Sequence, residues 1–310
     1  MTDRPYEPAD KPSTEPFRSK LRGFDKAKLV PVGDKTRGIF LMILASFFFS
    51  IMGAFVKKLT HTFPSFEVVF FRSVSMLLIV SPWMLAKKIP FIGDQKGIML
   101  IRALSGVTAL CLSFYIVTKM ELANASILDR TSVIFVALLS VLFLKEKMTV
   151  RLFIYTALAL FGAALIIKPN WHIADIPGLA GLGAGFFAAV AYVSVKKLHE
   201  TDHYMTMVFY LAFFGSLISL VASLPHWVSP SPIEWGMLLL MGTIATIAQI
   251  LLTYSYKLAP ASIVTPYSFS SVIFSGLWGF FFWGEIPDFY SLCGGLLLVA
   301  CGIGIMRLKH

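Results

Sequence analysis

The chain has 310 residues, 57% of them hydrophobic and 14% charged, with a mean hydropathy of +0.76 and a formal net charge of +10. A soluble core could not hide this much apolar surface, so the composition excludes an ordinary water-soluble domain and places the chain in lipid. The charge does not argue for nucleic acid, because about half of it is concentrated in residues 17–37, directly before the first apolar run.

Residues 1–37 read as a disordered basic tail. Pro5, Pro8, Pro12 and Pro16 stand in a polar stretch with too little apolar surface to order itself. Phe17, Leu21 and Phe24 recur at helical spacing among the basic residues, which fits either an amphipathic segment on anionic lipid headgroups or a plain topology signal. It is not a cleavable signal peptide, since the first apolar run begins near residue 38 and is of full spanning length.

Beyond it, windows of about 18 to 23 mostly apolar residues fall at 38–56, 64–86, 97–118, 123–144, 150–168, 178–195, 204–224, 235–256, 261–283 and 288–306. The expected fold is therefore all-α, a polytopic membrane protein of ten transmembrane helices.

The chain also repeats itself. LANASILD at 122–129 returns as LAPASIVT at 258–265, and each copy is followed by an apolar run closing on a glutamate, Glu146 or Glu285. ASFFFSIMGAFVKKL at 45–59 aligns with AGFFAAVAYVSVKKL at 184–198. Two homologous halves follow, 38–168 and 178–307, with five spans each. An odd number of spans per copy makes the second enter from the opposite side, so the repeats are inverted. Basic residues crowd the junctions on the N-terminal side (Lys87, Lys88, Lys96, Lys145, Lys147, Arg151), which puts both termini in the cytoplasm.

Cys111, Cys293 and Cys301 sit inside apolar spans, and no spacing resembles a disulfide framework or a metal site. The glycines of GLAGLGAG at 178–185 read as close helix contacts rather than a nucleotide loop. Neither a cofactor nor a metal is expected.

Ionisable residues within spans are the sharper clues, since each costs several kcal/mol in hydrocarbon unless paired or wet. Glu67 and Arg72 lie in the second window, Arg102 in the third, Asp129 and Arg130 in the fourth. Arg72 and Asp129 fall at similar depth, about 12 Å from one face at 1.5 Å per residue, which makes them candidate partners for a charge pair. Arg130 lies about 100° around the helix from Asp129, so one can face the second span while the other faces a cavity. Glu67 is shallow enough to be an interface residue. Arg102, near the cytoplasmic end, can snorkel to headgroups or serve the pathway.

In the second half Thr265 and Pro266 replace Asp129 and Arg130. Pro266 breaks the helix and frees the Ser262 carbonyl, which membrane depth tolerates beside a wet cavity. Tyr267, Ser268, Gln249, Tyr254 and Tyr256, with Ser113 and Tyr115 of the third span, supply polar and aromatic surface around it.

These residues carry a family resemblance. FFRSVSMLL in span two, the LANAS and LAPAS openings, and the closing glutamates of FLKEK and FWGEIPD resemble the drug/metabolite transporter superfamily, specifically ten-span proteins with duplicated EamA-type domains. It covers roughly 38–307 and departs where many relatives carry a proline, here Val133 and Val272. The resemblance implies an inner-membrane carrier with a cavity lined by spans three, four, eight and nine.

Together these features give a secondary transporter of a small polar, anionic or zwitterionic solute, and not an enzyme. Arg130, Tyr115, Gln249, Tyr254, Tyr267 and Ser268 would contact the solute; Asp129, Arg72, Glu67 and Arg102 would serve coupling or charge pairing. A non-transporting receptor or assembly subunit remains the rival class, a membrane-embedded enzyme a distant third, and a homodimer is left open.

Overall fold

The computed structural model describes residues 32–144, 150–167, 176–198, 201–258 and 264–308. The basic segment around Phe17, Leu21 and Phe24, the first closing glutamate Glu146, and Ser262 lie outside these residues. The described chain is all-helical: α1 (Val32–Leu59), α2 (Ser65–Ala86), α3 (Lys96–Lys119), α4 (Leu122–Asp129), α5 (Ser132–Leu144), α6 (Val150–Ile167), α7 (Ile176–Leu198), α8 (Tyr204–Ser223), α9 (Pro232–Leu258), α10 (Ser270–Trp283) and α11 (Phe289–Leu308). Short 3₁₀ turns at Leu224–His226 and Thr265–Phe269 precede α9 and α10. All-helical structure is what hydrocarbon demands, because a helix satisfies its own backbone polar groups.

Among the described residues six helices are long and apolar enough to cross a membrane: those beginning at Asp34, Ser65, Lys96, Ile176, Tyr204 and Pro232. The ten-window expectation therefore does not carry over as ten unbroken spanning helices. The fourth and ninth windows are broken, the fourth into α4 and α5 around Arg130 and Thr131, the ninth into a 3₁₀ turn and α10. The fifth and tenth contain the shorter apolar helical stretches Phe153–Ala163 and Phe289–Gly304.

The N-terminal boundary also differs. Helix α1 begins at Val32, so the last residues of the expected tail are helical. Asp34 in the first turn complements the positive helix terminus and lies 3.9 Å from Arg37, one turn on.

The packing comes in matched sets. Helix α1 lies on α9 as α3 lies on α7; α2 lies on α9 as α8 lies on α3; α2 and α8 pack together, and so do α6 and α11. Close approach needs small residues. A Cβ on Gly162 of α6 would stand 2.8 Å from the Gly294 carbonyl oxygen of α11, a backbone atom with no freedom to retreat. Gly162→Leu should therefore lower the melting temperature of detergent-purified protein, at about 1–3 kcal/mol for an overpacked contact. An unchanged melting curve would contradict the α6–α11 packing.

Candidate functional site

Helix α4 ends without proline or glycine at its break. The Arg130 and Thr131 N–H groups donate to the Ile127 and Leu128 carbonyls at 2.9 and 3.0 Å, a 3₁₀-like tightening, and the Thr131 hydroxyl also donates to Leu128 O at 2.7 Å. Another helix approaches closely at this point. Gly185 of α7 presents its bare Cα to Thr131 and to the Ser132 backbone N, where a Cβ would lie 3.0 Å from that nitrogen. The C-terminus of α4 carries negative partial charge, which favours Arg130 and disfavours Asp129. Asp129 is instead held by Ser113 of α3, whose hydroxyl donates to its Oδ1 at 2.6 Å. Arg130 Nε donates to the Ser271 hydroxyl of α10 at 3.1 Å.

These groups border a cavity of about 160 Å³ between the helices. Its polar wall includes Arg72, Arg102, Asp129, Arg130, Gln249 and Ser271; Phe49, Leu122 and Leu252 contribute apolar surface. Small-molecule sites usually enclose about 300–1,000 Å³, so the cavity is small for one.

The expected Arg72–Asp129 pair is corrected. Among the described residues the two form no ion pair, because matching depth does not fix the direction a helix faces and Asp129 is taken by Ser113. The electrostatic neighbour of Arg72 is Arg102. Nor does Arg102 snorkel: its Nη1 lies over Gly106, one turn further into the bundle, and a Cβ there would stand 2.5 Å away. Helical side chains ordinarily lean toward the N-terminus, here the nearer end of α3, so Arg102 runs against that lean and into the cavity.

Glu67 is fully buried in the first turn of α2, away from the cavity. Its Oε2 accepts the Val228 N–H at 3.1 Å and so holds the loop before α9.

The expected solute contacts divide. Arg130 and Gln249 line the cavity. Tyr254, five residues or about 140° beyond Gln249 on α9, faces outward instead, with its ring 5.8 Å from Lys257 Nζ. Tyr115 is about 200° around α3 from Ser113 and packs in the apolar core. Tyr267 is exposed, and Ser268 is buried against α1, its carbonyl accepting from Ser46 at 3.5 Å. Pro266 lies in the 3₁₀ turn that opens the ninth window's helix. Sequence reasoning did not single out Ser126, Tyr192, Ser271 or Ser275, which also border the cavity; nothing in composition distinguishes them from other span serines and tyrosines.

It also missed an ion pair. Gly284, at φ 66°, ends α10 in the left-handed conformation and turns Glu285 back toward the bundle. Glu285 pairs with Lys57 of α1, and its other oxygen accepts the Leu122 N–H at 2.9 Å, capping α4 from the opposite half of the chain. Lys57 also donates to Met120 O at 3.2 Å and lies 5.5 Å from the Trp283 ring centre. The Lys pair and the closing glutamate were both visible as marks of the repeat; that they meet across 228 residues was not.

With this geometry established, the chain is assigned to a class of membrane transporters: it belongs to the EamA-like transporter family, which matches residues 36–168 and again 176–307. It is 33% identical over 276 residues to the pseudopaline exporter CntI of Pseudomonas aeruginosa, covering 88% of this chain and 96% of that protein. It is 26% identical to human solute carrier family 35 member G1 (86% of this chain, 78% of that protein). With the S-adenosylmethionine uptake transporter of Rickettsia prowazekii it shares 22% identity (87% and 92%). A solved crystal structure, 14% identical, superposes with a TM-score of 0.64 over 89% of this chain and 98% of that one, which supports the fold alone. The family and these relatives are transporters, not enzymes, and imply a small-molecule substrate for a multi-pass membrane protein.

The capping pair can be tested apart from transport. Glu285→Ala leaves a half-buried Lys57 without its counter-charge and Leu122 N–H without its cap, which should destabilise detergent-purified protein by about 1–3 kcal/mol. Adding Lys57→Met should restore much of the loss, because the uncompensated charge is then gone. A double variant as unstable as the sum of both single variants would contradict the pairing.

Proposed function

We propose that the protein is a secondary transporter that moves a small polar metabolite, anionic or zwitterionic, across the cytoplasmic membrane by alternating access. The observation that carries this reading is the cavity at the break between α4 and α5, bordered by several charged side chains, where opposite charges from one helix end face different partners. Irregular backbone at membrane depth is tolerated beside a polar cavity, and broken helices are a recurrent way of building a carrier's site.

In this reading the chain comprises a basic cytoplasmic tail, residues 1–37, and two inverted repeats, 38–168 and 178–307, of five spans each, with both termini in the cytoplasm. The double family match and the reciprocal packing of corresponding helices support it. So does the pattern of basic residues at the junctions on the N-terminal side. The Lys57–Glu285 contact, which joins α1 and α10 to the start of α4, closes one end of the bundle. Alternating access then means that this latch opens in the course of the cycle.

Asp129 takes the role of coupling group, binding a proton in one state, and Arg130 with Gln249 contacts the solute. Tyr115, Tyr254, Tyr267 and Ser268 lose their place as contacts on the positions described above. The names of the relatives leave direction open, since one is an exporter and another an uptake transporter.

Proteoliposomes offered a mixed metabolite pool, with and without an imposed proton gradient, test this. Wild type should accumulate a solute, and Asp129→Asn should lose at least about tenfold of that uptake, the effect of about 1.4 kcal/mol, while eluting as a folded monodisperse species. Equal accumulation by Asp129→Asn would remove the residue from the cycle, and no accumulation by wild type would contradict the transport reading.

A further inference from the structure

Arg72 and Arg102 are costly residues to bury, and several of their donors have no partner among the described residues. Arg72 is 1% exposed and Arg102 is 4% exposed. Nε and Nη2 of Arg72 and Nε of Arg102 make no hydrogen bond among the described residues. Both side chains border the cavity, and Arg102 is a like-charged neighbour of Arg72. A buried cation costs several kcal/mol even when alone, and a pair of like charges costs more.

Other features rule out a merely structural reading of the pair. Arg102 could reach the nearer helix end by the usual lean of its side chain, yet it folds the other way, over Gly106. Gly106 is what makes room: a Cβ there would meet Arg102 Nη1 at 2.5 Å and Leu211 Cδ1 at 2.8 Å. The cavity's carboxylate pairs with neither arginine among the described residues: Asp129 accepts from Ser113, eleven residues or about 16 Å along α3 from Arg102. Among the cavity-lining residues Arg72, Arg102 and Arg130 face one carboxylate, Asp129, which leaves a formal surplus of two positive charges.

We infer that Arg72 and Arg102 form an anion seat in the cavity, and that the solute is an organic anion carrying two or more negative charges. This deepens the transport reading, since it names the class of solute that the same cavity takes. The guanidinium fork matches carboxylate and phosphate oxygens in bidentate geometry, and an anion placed here would satisfy the free Nε and Nη2 groups at once. Arg130, at the break of α4, also borders the cavity and can receive a second anionic group. Asp129 beside it can accept a hydrogen bond from an ammonium or hydroxyl where the solute carries one.

Thermal unfolding of detergent-purified full-length protein tests the seat independently of transport. The probes are succinate, citrate, sn-glycerol 3-phosphate, alanine and putrescine, each at matched ionic strength. A ligand that binds the folded state raises the melting temperature saturably. Succinate, citrate or sn-glycerol 3-phosphate should do so in wild type; the first two acting alone would assign carboxylates, the last alone a phosphate ester. Alanine and putrescine should have no effect. Arg72→Gln and Arg102→Gln should each reduce the anion's apparent affinity at least tenfold, and Gly106→Ala, which displaces Arg102, should do so without removing a charge. Each variant must retain a cooperative transition, which separates loss of binding from loss of fold. Stabilisation by putrescine in place of the anions, or an undiminished anion effect in both arginine variants, would overturn the inference. Transport of a cation or a neutral solute by proteoliposomes would overturn it while leaving the carrier reading intact, and anion binding without any uptake would do the reverse.

Discussion

The structure depends on one constraint: a charged or hydrogen-bonding group taken out of water into lipid must find a partner inside the protein. That constraint makes every described element helical, and it determines what each intramembrane charge does. Glu67 spends its charge on a loop N–H, Asp129 on a serine hydroxyl, and Lys57 and Glu285 on one another and on the exposed end of α4. Other buried polar atoms, Oε1 of Glu67 among them, also go without a partner among the described residues, but Arg72 and Arg102 combine this with a full charge at the cavity, and the same rule points them to a partner from outside the described chain.

The site is built where two halves of the chain meet. Helix α4 is capped by Glu285 of the second half at its start, and at its end sends Arg130 to Ser271 of the second half. Its break is accommodated by Gly185, again from the second half. In the proposed cycle, a short helix held at both ends by the other repeat would move with it and carry Asp129 and Arg130 along.

Length and hydropathy made the helices legible, because about 20 apolar residues suffice to name a spanning candidate. The repeat was legible as well, since LANASILD and LAPASIVT survive as text. The positions of Asp129, Arg130 and Gln249 at the cavity followed from the expense of polar groups at depth. What the sequence did not contain was azimuth. Tyr115 and Tyr254 sit at suitable depth and face elsewhere, and Arg72 shares a depth with Asp129 without sharing a direction. The break after Asp129 was hidden for a different reason: no proline or glycine marks it, and the residue that accommodates it, Gly185, lies on another helix. The partnership of Lys57 with Glu285 was hidden by their separation along the chain.

The most direct test of the central claim, a polar cavity that opens alternately to the two sides, is side-specific thiol labelling. Ser126→Cys or Ser271→Cys would be introduced on a background with Cys111, Cys293 and Cys301 replaced, and reacted with a membrane-impermeant maleimide from either face of oriented vesicles. The cavity reading predicts labelling from both faces, with Glu285→Ala raising the rate from the latch end and lowering it from the other. Labelling from one face only, unaffected by loss of the latch, would contradict alternating access.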